Sequence, residues 1–419
     1  MFIINDTLGT YGGSITLIER LCVYAISKKE PIKIYCNDIS NKEIVDKLKK
    51  LGIEINCFDT CNHSLLEKHI KRDLQQGEIQ VISFITNQYL SVEKVKYKNK
   101  LDFVNIIYSI HPATFYKGTG IGNSILKRKV IKRYKKTIQK MNTNGFVVFM
   151  DQDNIDKAET YYSMHFEKTP HIQALPMICR SMDQKALEVK LDKSYRGRII
   201  VSACRADFPY KGYLFGLIDD FVTLSQKYEN LSLVIVCSGA PEDVERIRSK
   251  IAEVPKEYCD SIHFHHWMEY QELLRLISTA YLYVGMGTGV LDSALAYVPS
   301  IAVKYDTYDN LADCVFYEKP GYVVADEHCD TGAIHVMEKA LNYSRREYGQ
   351  IAVKCFEEAK NLYDIDSFFY YIKTLERRSS YLSPLDVMIH TANTFINSLK
   401  HDKGYDVNNI KYEKGDEDS

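Results

Sequence analysis

The segment Arg198–Gly212, RIIVSACRADFPYKG, carries the strongest fold signal in the sequence. Its apolar and small residues predict a buried strand that ends at Cys204. Arg205 follows at the carboxyl end of this strand, and Lys211 precedes the next helical pattern. Two cations at a strand-to-helix junction can bind a diphosphate together with free backbone N–H groups. Alternatively, both are exposed side chains of a surface loop.

Outward from this segment, short apolar runs alternate with amphipathic stretches in both halves of the chain, which is typical of parallel sheets covered by helices on both faces. The further predicted strands lie at 2–4, 32–35, 53–57, 81–85, 104–110, 146–150, 231–237, 262–266, 281–284 and 300–304. The polar stretch Cys179–Arg196 interrupts the pattern. We therefore predict an α/β fold with two doubly wound, Rossmann-like domains, at residues 1–190 and 191–365. Helices at 366–400 are expected to pack back on the first domain, and 401–419 is expected to be a polar tail.

Charge and cysteine usage narrow the class of protein. The 419 residues include 54 Lys and Arg against 55 Asp and Glu, for a formal net charge of −1, which argues against binding nucleic acid through bulk charge. The eleven cysteines are an odd number and are scattered singly apart from Cys57 and Cys61, so we expect reduced thiols and no metal site. The sequence has no basic, apolar leader and no apolar run of about 20 residues, which favours a cytoplasmic protein.

A second informative segment is Tyr283–Pro299, YVGMGTGVLDSALAYVP. Its glycines at 285, 287 and 289 lie between a predicted strand and a predicted helix, where bare backbone can approach an anion at the helix N-terminus. Asp292 lies in the first turn of that helix, where it could hydrogen-bond a ribose or simply favour the helix dipole. Glycines here are also compatible with tight packing alone.

Together the two segments resemble the nucleotide-sugar half of GT-B glycosyltransferases, specifically the retaining glycosyltransferase family four. Arg205 and Lys211-Gly212 are similar to the family's Arg…Lys-Gly pair, which binds the donor diphosphate. Gly285-Met286-Gly287 and the following helix resemble its Glu-Gly-Phe-Gly…Glu-Ala motif. Two positions depart from that motif: Val284 stands where the family has its first glutamate, and the second is the shorter Asp292.

The resemblance implies a GT-B fold whose two domains face each other across a cleft. It also implies roles for individual residues. Arg205 and Lys211 would neutralise the leaving diphosphate, Gly287, Thr288 and Gly289 would contribute backbone donors, and Asp292 would hold the ribose. The donor would be a nucleoside diphosphate sugar of the UDP or GDP type, with no metal and no further cofactor.

In the first half of the chain, two further features resemble the same family. Gly12-Gly13 follows the first predicted strand, as does the family's Gly-Gly, which lets the backbone approach a substrate. His111 ends the predicted strand VNIIYSI and resembles the family's active-site histidine, which contacts the donor sugar. Taken alone, the glycines also suit a tight turn, and the histidine suits a structural position.

The segment Lys127–Lys140, KRKVIKRYKKTIQK, predicts a helix with one apolar stripe and a dense cationic surface. One interpretation is an ordinary solvated helix face. The other is docking on an anionic membrane, as some members of the resembled family do with basic helices. The docking candidates are Lys127, Arg128, Lys129, Lys132, Arg133, Lys135 and Lys136. Nucleic acid is a poorer partner, because no recognition module accompanies these residues.

The leading hypothesis is an enzyme that moves a sugar from a nucleoside diphosphate donor to an acceptor hydroxyl of a surface polysaccharide or glycolipid. Its expected location is the cytoplasm, or the inner face of the membrane. A nicotinamide-dependent oxidoreductase is the first alternative, because Gly9 and Gly12-Gly13 follow the first strand and Asp38 follows the second. However, the loop is not GxGxxG, and Arg205 and Lys211 stay unexplained. A catalytically inactive, glycosyltransferase-like binding subunit is the second alternative, because of Val284.

Overall fold

The computed structural model describes residues 1–8, 13–58, 63–109, 125–169 and 171–388, and it leaves the side chains at 125–132, 134 and 161 undescribed. These residues form two compact units. Unit 1 comprises Met1–Met150, Asn154–Ile172 and the described chain from Phe369 onward, and unit 2 comprises Asp151–Asp153 and Gln173–Phe368.

Unit 1 is built on a six-stranded sheet of short, buried strands separated by helices. In chain order, its elements are β1 (Phe2–Asn5), α1 (Gly13–Ser27), β2 (Ile32–Cys36), α2 (Lys42–Lys50), β3 (Glu54–Cys57), α3 (Ser64–Gln76), β4 (Gln80–Ser83), α4 (Thr86–Asn99), β5 (Val104–Ser109), α5 (Ile125–Thr143), β6 (Val147–Phe149) and α6 (Gln152–Tyr162).

All strands of this sheet are parallel, in the order β3-β2-β1-β4-β5-β6. Right-handed crossovers place α1 and α2 on one face of the sheet and α3, α4 and α5 on the other. The second face is packed by a cluster that includes Ile3 from the sheet, Leu66 and Ile70 from α3, and Val92 and Val95 from α4. The strand order reverses between β1 and β4, which is where open α/β sheets form their ligand crevice.

Unit 2 repeats this architecture with a five-stranded sheet. Its elements are α7 (Gln184–Gly197), β7 (Ile199–Ala206), α8 (Tyr213–Ser225), β8 (Ser232–Gly239), α9 (Pro241–Ala252), α10 (Lys256–Cys259), β9 (Ile262–His265), α11 (Tyr270–Thr279), β10 (Leu282–Gly285), α12 (Thr288–Leu295), β11 (Ser300–Ala302), α13 (Ala333–Leu341), α14 (Arg345–Tyr363) and α15 (Ile365–Thr374). The strands are parallel in the order β11-β10-β7-β8-β9, so the order reverses between β7 and β10.

Helix α7 occupies most of the polar stretch in which the sequence pattern weakened. The Asp183 side chain caps it by accepting a hydrogen bond from the Ala186 N–H at 2.9 Å. Leu187 and Leu191 pack with the cluster that contains Tyr297, and the Tyr195 ring lies 5.6 Å from that of Tyr348, measured between centroids. Because α7 and the segment before it pack within unit 2, the division of the chain falls after Ile172 instead of near residue 190.

The last turns of α15 belong to unit 1. The ring of Phe369 lies 4.6 Å from that of Phe2 and 4.9 Å from that of Tyr24, measured between centroids. Tyr371 donates a hydrogen bond of 2.6 Å to the carbonyl of Gly145, where the backbone has φ +79° and a Cβ would overlap the tyrosine hydroxyl. These aromatic contacts join the end of α15 to the first sheet.

The α/β class with two doubly wound parallel sheets is therefore confirmed. None of the helices in the described ranges combines the length and the apolar character needed to cross a membrane.

Candidate active site

The candidate site in unit 2 begins at the carboxyl end of β7. Arg205, the penultimate residue of this strand, is exposed, and its Nη2 lies 3.1 Å from Oδ2 of Asp207. Lys211 is largely buried, with its Nζ 4.9 Å from the ring centroid of Tyr210. Burial lowers the pKa of Lys211 to about 8, against the opposing influence of Cys204 and Asp207. Two cations therefore lie near the carboxyl end of β7, and one of them is held in a poorly hydrated position.

The loop that carries Lys211 is fixed by backbone contact and by aromatic packing. A Cβ at Gly212 would lie 2.5 Å from the carbonyl oxygen of Thr307, so this position admits no side chain. The guanidinium carbon of Arg246 lies 5.0 Å from the ring centroid of Phe208, and Arg246 Nη2 donates a hydrogen bond of 2.9 Å to the Tyr308 hydroxyl. This packing gives the loop a rigid base.

The second half of the site is the carboxyl end of β10. Gly287 has φ +68° and precedes α12, and a Cβ there would meet nothing within 4 Å. Gly287, Thr288 and Gly289 are all partly exposed. The first N–H groups of a helix lack intrahelical acceptors, so this turn offers donors and a positive dipole end to an anion.

The neighbouring glycines have a packing role that the sequence does not reveal. A Cβ at Gly289 would overlap the hydroxyl of Tyr283, and a Cβ at Gly285 would lie 2.9 Å from the Tyr283 ring. The Tyr283 hydroxyl in turn donates a hydrogen bond of 3.0 Å to the carbonyl of Ala203 in β7. Tyr283 therefore links the two strands that carry the site, and it needs glycine at both positions.

Asp292 lies in α12, and Val284 lies in β10, the strand that precedes this helix. Asp292 is buried, and its Oδ1 accepts a hydrogen bond of 2.9 Å from the Tyr270 hydroxyl. Val284 is fully buried in β10, so this position presents no polar group to a ligand. Binding of a ribose by Asp292 stays a prediction.

The sheet topology brings the two predicted segments together. β7 and β10 are neighbours, with Leu282 opposite Ile200, and the strand order reverses between them. Arg205, Lys211 and the open turn at Gly287 consequently flank the position where such sheets bind ligands. This arrangement suits an anionic group held between two cations and a helix N-terminus.

Three residues at this edge were not identified from the sequence. Asp207 pairs with Arg205, Tyr270 contacts Asp292, and Trp267 follows β9 at the same carboxyl edge of the sheet. Trp267 is the single tryptophan of the sequence and is 68% exposed. Only Trp267 had a possible sequence signal, as a lone large aromatic residue in a polar loop.

The predicted site residues of the first half are only partly described. Gly12, His111 and Gly9 lie outside the described residues, and Gly13 is the first residue of α1. The Asp38 carboxylate accepts a hydrogen bond of 2.8 Å from the Ser40 N–H. The donor-side roles predicted for Gly12, Gly13 and His111 stay predictions.

Asp6, at the end of β1, is a further group that the sequence did not single out. It is 2% exposed, and among the described residues its Oδ2 has no hydrogen-bond partner. Burial raises the pKa of this carboxyl to about 7. Asp6 follows β1 and lies beside the crevice between β1 and β4. Burial of this carboxyl lowers the stability of the folded protein when the group is ionised.

The basic helix α5 is described in its second half only. The side chains of Lys127, Arg128, Lys129 and Lys132 are outside the description. Arg133 Nε lies 2.6 Å from Asp386 Oδ1, and Arg133 also donates to the Ser383 hydroxyl. Lys135 is partly exposed and Lys136 is exposed. Arg133 therefore has a structural partner, whereas Lys136 faces solvent.

No model of a protein family and no curated protein matches the sequence. Solved structures do match across 89% of the chain. A glycosyltransferase from Rickettsia africae has a TM-score of 0.59 at 14% identity over 98% of its length. HepE from Anabaena, solved with UDP and glucose, has a TM-score of 0.53 at 11% identity over 98% of its length. An α,α-trehalose-phosphate synthase (UDP-forming) from Burkholderia vietnamiensis has a TM-score of 0.53 at 9% identity over 97% of its length.

The chain has the GT-B fold. The fold expected from the resemblance of Arg205, Lys211 and the glycine segment is thereby confirmed. Membership of glycosyltransferase family four stays a prediction.

Proposed function

We propose that this chain is a glycosyltransferase that takes its sugar from a nucleoside diphosphate donor of the UDP or GDP type. The observation that carries the proposal is the pair Arg205 and Lys211, which lies beside the open turn at Gly287 where the strand order of unit 2 reverses. A GT-B structure solved with UDP, that of HepE, supports the same donor class.

The proposed chemistry follows from the charge that develops on the donor. The bond from the anomeric carbon to the diphosphate oxygen breaks, and a bond from that carbon to the acceptor oxygen forms. The acceptor proton leaves with the diphosphate, which departs as an anion. Arg205 would exchange its contact with Asp207 for a phosphate oxygen, and Lys211 would donate from its desolvated position.

The N-terminus of α12 supplies the remaining contacts of the proposed donor site. The N–H groups at Thr288 and Gly289 would donate to the second phosphate, whereas the Gly287 N–H already donates to the carbonyl of Val323 at 2.7 Å. Asp292, oriented by the Tyr270 hydroxyl, would accept from the ribose. Because these positive groups can stabilise the leaving diphosphate, we propose transfer without a metal ion, with retention of configuration as the family resemblance implies.

The proposed acceptor is a polysaccharide or glycolipid at the inner face of a membrane. The cationic side chains of α5 support this location, with Lys135 and Lys136 as the described candidates. Arg133 is a weaker candidate because it pairs with Asp386.

A catalytically inactive binding subunit is the second candidate, and the observation that favours it is the buried Val284, where the resembled family has a glutamate. Transfer or hydrolysis of nucleotide sugars by the purified protein distinguishes the two. We expect release of UDP or GDP from at least one donor. A protein that binds nucleotide but turns over no donor would support the inactive subunit.

The matched variants for this assay are Arg205→Ala/Lys211→Ala and the control Lys193→Ala/Arg196→Ala. The control removes the same two charges from α7, which directly precedes the other end of β7. Turnover by Arg205→Ala/Lys211→Ala should fall at least 100-fold, because the variant lacks the two positioned charges that would stabilise the leaving diphosphate. The control should retain it. Stabilisation of the protein by NAD alone, with no response to nucleotides, would instead indicate the oxidoreductase.

A further inference from the structure

The carboxyl ends of β2 and β3 in unit 1 bring two cysteine side chains together. Cys36 and Cys57 are the last residues of these strands and are directly opposite each other in the parallel register. Their Sγ atoms lie 3.8 Å apart. The Phe58 N–H donates a hydrogen bond of 2.9 Å to the Cys36 carbonyl, so the ladder continues past the pair. The sequence gives no sign of this contact, because the two cysteines are 21 positions apart.

The backbone at this pair is compatible with a disulfide. Neighbouring strands lie about 4.8 Å apart, which is within the range of about 4.4–6.8 Å for the Cα atoms of bonded cysteines. The sulfur atoms need only approach from 3.8 Å to the bond length of about 2.0 Å. β3 is the edge strand of its sheet, so it can move toward β2 without breaking a ladder on its other side.

The two thiols differ in their access to solvent. Cys57 is exposed, whereas Cys36 is buried. Burial raises the pKa of the Cys36 thiol, and the neighbouring Cys57 and Asp38 add to this effect. Because the thiolate is the nucleophile in disulfide exchange, Cys57 is the thiol that can attack an external disulfide. Cys36 is then in position to resolve the product.

A second pair of cysteines shows that register alone is not sufficient. Cys204 of β7 lies opposite Cys237 of β8 in the sheet of unit 2. Both strands are internal to that sheet, and Cys237 has no exposed surface. Approach of these two strands would disturb the ladders on their other sides. The edge position and the exposed thiol of Cys57 therefore distinguish the pair in unit 1.

We propose that Cys36 and Cys57 form a reversible disulfide by exchange with a small-molecule disulfide such as glutathione disulfide. The Cys57 thiolate attacks one sulfur of glutathione disulfide, and the first glutathione thiolate leaves. The Cys36 thiolate then attacks the Cys57 sulfur of the mixed disulfide, and the second glutathione thiolate leaves. The two protein thiols are oxidised, one glutathione disulfide is reduced to two thiols, and the departing thiolates take up the two protons.

The bond would restrain the chain beside the crevice between β1 and β4. Asp38, two residues after Cys36, accepts a hydrogen bond of 2.8 Å at its carbonyl from the Leu8 N–H, which follows β1. The Asn37 side chain accepts one of 2.5 Å from Gln88, in the first turn of α4. A disulfide at Cys36 opposes local opening of the edge strand and of this turn, so we expect slower amide exchange in both.

The test incubates the full chain with excess glutathione disulfide, blocks the remaining thiols under denaturing conditions and maps them by mass spectrometry. We expect loss of both free thiols at Cys36 and Cys57 and a peptide that joins them, with recovery of both thiols in dithiothreitol. Cys204 and Cys237 should keep their free thiols. Free thiols at Cys36 and Cys57 would overturn the proposal, and so would a bond from Cys57 to Cys61, which lies outside the described residues.

Three variants test the order of attack, with circular dichroism to check that each folds. Cys36→Ala should stop at a mixed disulfide of glutathione with Cys57, because the resolving thiol is absent. Cys57→Ser should leave Cys36 as a free thiol, whereas the control Cys61→Ser should form the Cys36–Cys57 bond like the wild type. Glutathione attached to Cys36 in Cys57→Ser would contradict the assigned roles.

Hydrogen exchange of the oxidised and the reduced wild type measures the restraint. Exchange should be slower in residues 36–41 and 53–58 after oxidation, and unchanged in β8 of unit 2. Equal exchange of 36–41 in the two states would overturn the link to the crevice. The inference does not depend on the proposed sugar transfer, and its readouts need no nucleotide, so failure of the one is distinguishable from failure of the other.

Discussion

The depressed pKa of Lys211 makes the affinity for a nucleoside diphosphate dependent on pH. The ammonium form of this side chain is the one that binds a phosphate, and burial lowers its pKa to about 8 in the free protein. A bound diphosphate would raise that pKa again, so binding takes up a proton at higher pH. The affinity for the nucleoside diphosphate should therefore be highest well below pH 8, and it should fall as the pH rises through this value.

The size of the effect follows from the fraction of Lys211 that is charged. At pH 7 about nine-tenths of the side chains are protonated, and at pH 9 about one-tenth are. If the neutral amine contributes no attraction, the dissociation constant rises about tenfold between these values, which is about 1.4 kcal/mol. Isothermal titration calorimetry with UDP and GDP at pH 7, 8 and 9 measures this change directly.

The control is Lys211→Arg, because the guanidinium stays charged over the whole range. Its pH profile should be flat apart from any titration of the nucleotide itself, which affects both proteins equally. A wild-type affinity that does not change between pH 7 and 9 would refute the reasoning, and so would the same slope in Lys211→Arg.

Three further predictions concern stability. Burial raises the pKa of Asp6 from 3.8 to about 7, so the folded state loses stability as the pH rises between these two values. The variant Asp6→Asn should therefore be more stable than the wild type by about 2–4 kcal/mol at pH 8 and equal to it at pH 4. Urea unfolding at the two pH values measures the difference. Gly289→Ala should destabilise by about 1–3 kcal/mol because its methyl group overlaps the Tyr283 hydroxyl, and adding Tyr283→Phe should recover part of the loss in thermal melts. Arg133→Ala removes the partner of Asp386, so limited proteolysis should cut the described segment near residue 386 faster; an unchanged rate would contradict this role.

The strands and the cationic pair were predictable because the signals are local. The strand that carries Arg205 starts with the apolar residues 199–201 and continues with small ones, and the order of strand, loop and helix places Arg205 and Lys211 at one edge of the sheet. Helix α7 was missed because the stretch is polar overall, although Leu187, Leu191 and Tyr195 recur every four residues along its packed face. Its cap, Asp183, was a signal that could have identified it.

Tertiary features had no comparable signal in the sequence. In the sequence, the glycines at 285 and 289 predict space for a ligand. In the structure, that space is filled by the Tyr283 side chain, which a Cβ at either position would contact too closely. The burial of Asp6 depends on neighbours that are distant in sequence. The sequence makes Arg133 one of several equivalent surface cations, whereas the structure pairs it with Asp386, which is about 250 residues away in the chain.

The central claim is that Arg205 and Lys211 form a diphosphate site. The most direct measurement is titration of the purified protein with UDP and GDP, followed by calorimetry and by the fluorescence of Trp267. We expect saturable binding of at least one nucleotide by the wild type and by Lys193→Ala/Arg196→Ala, and a loss of at least 100-fold in affinity in Arg205→Ala/Lys211→Ala. Equal affinity of all three proteins, or no binding of either nucleotide to the wild type, would contradict the claim.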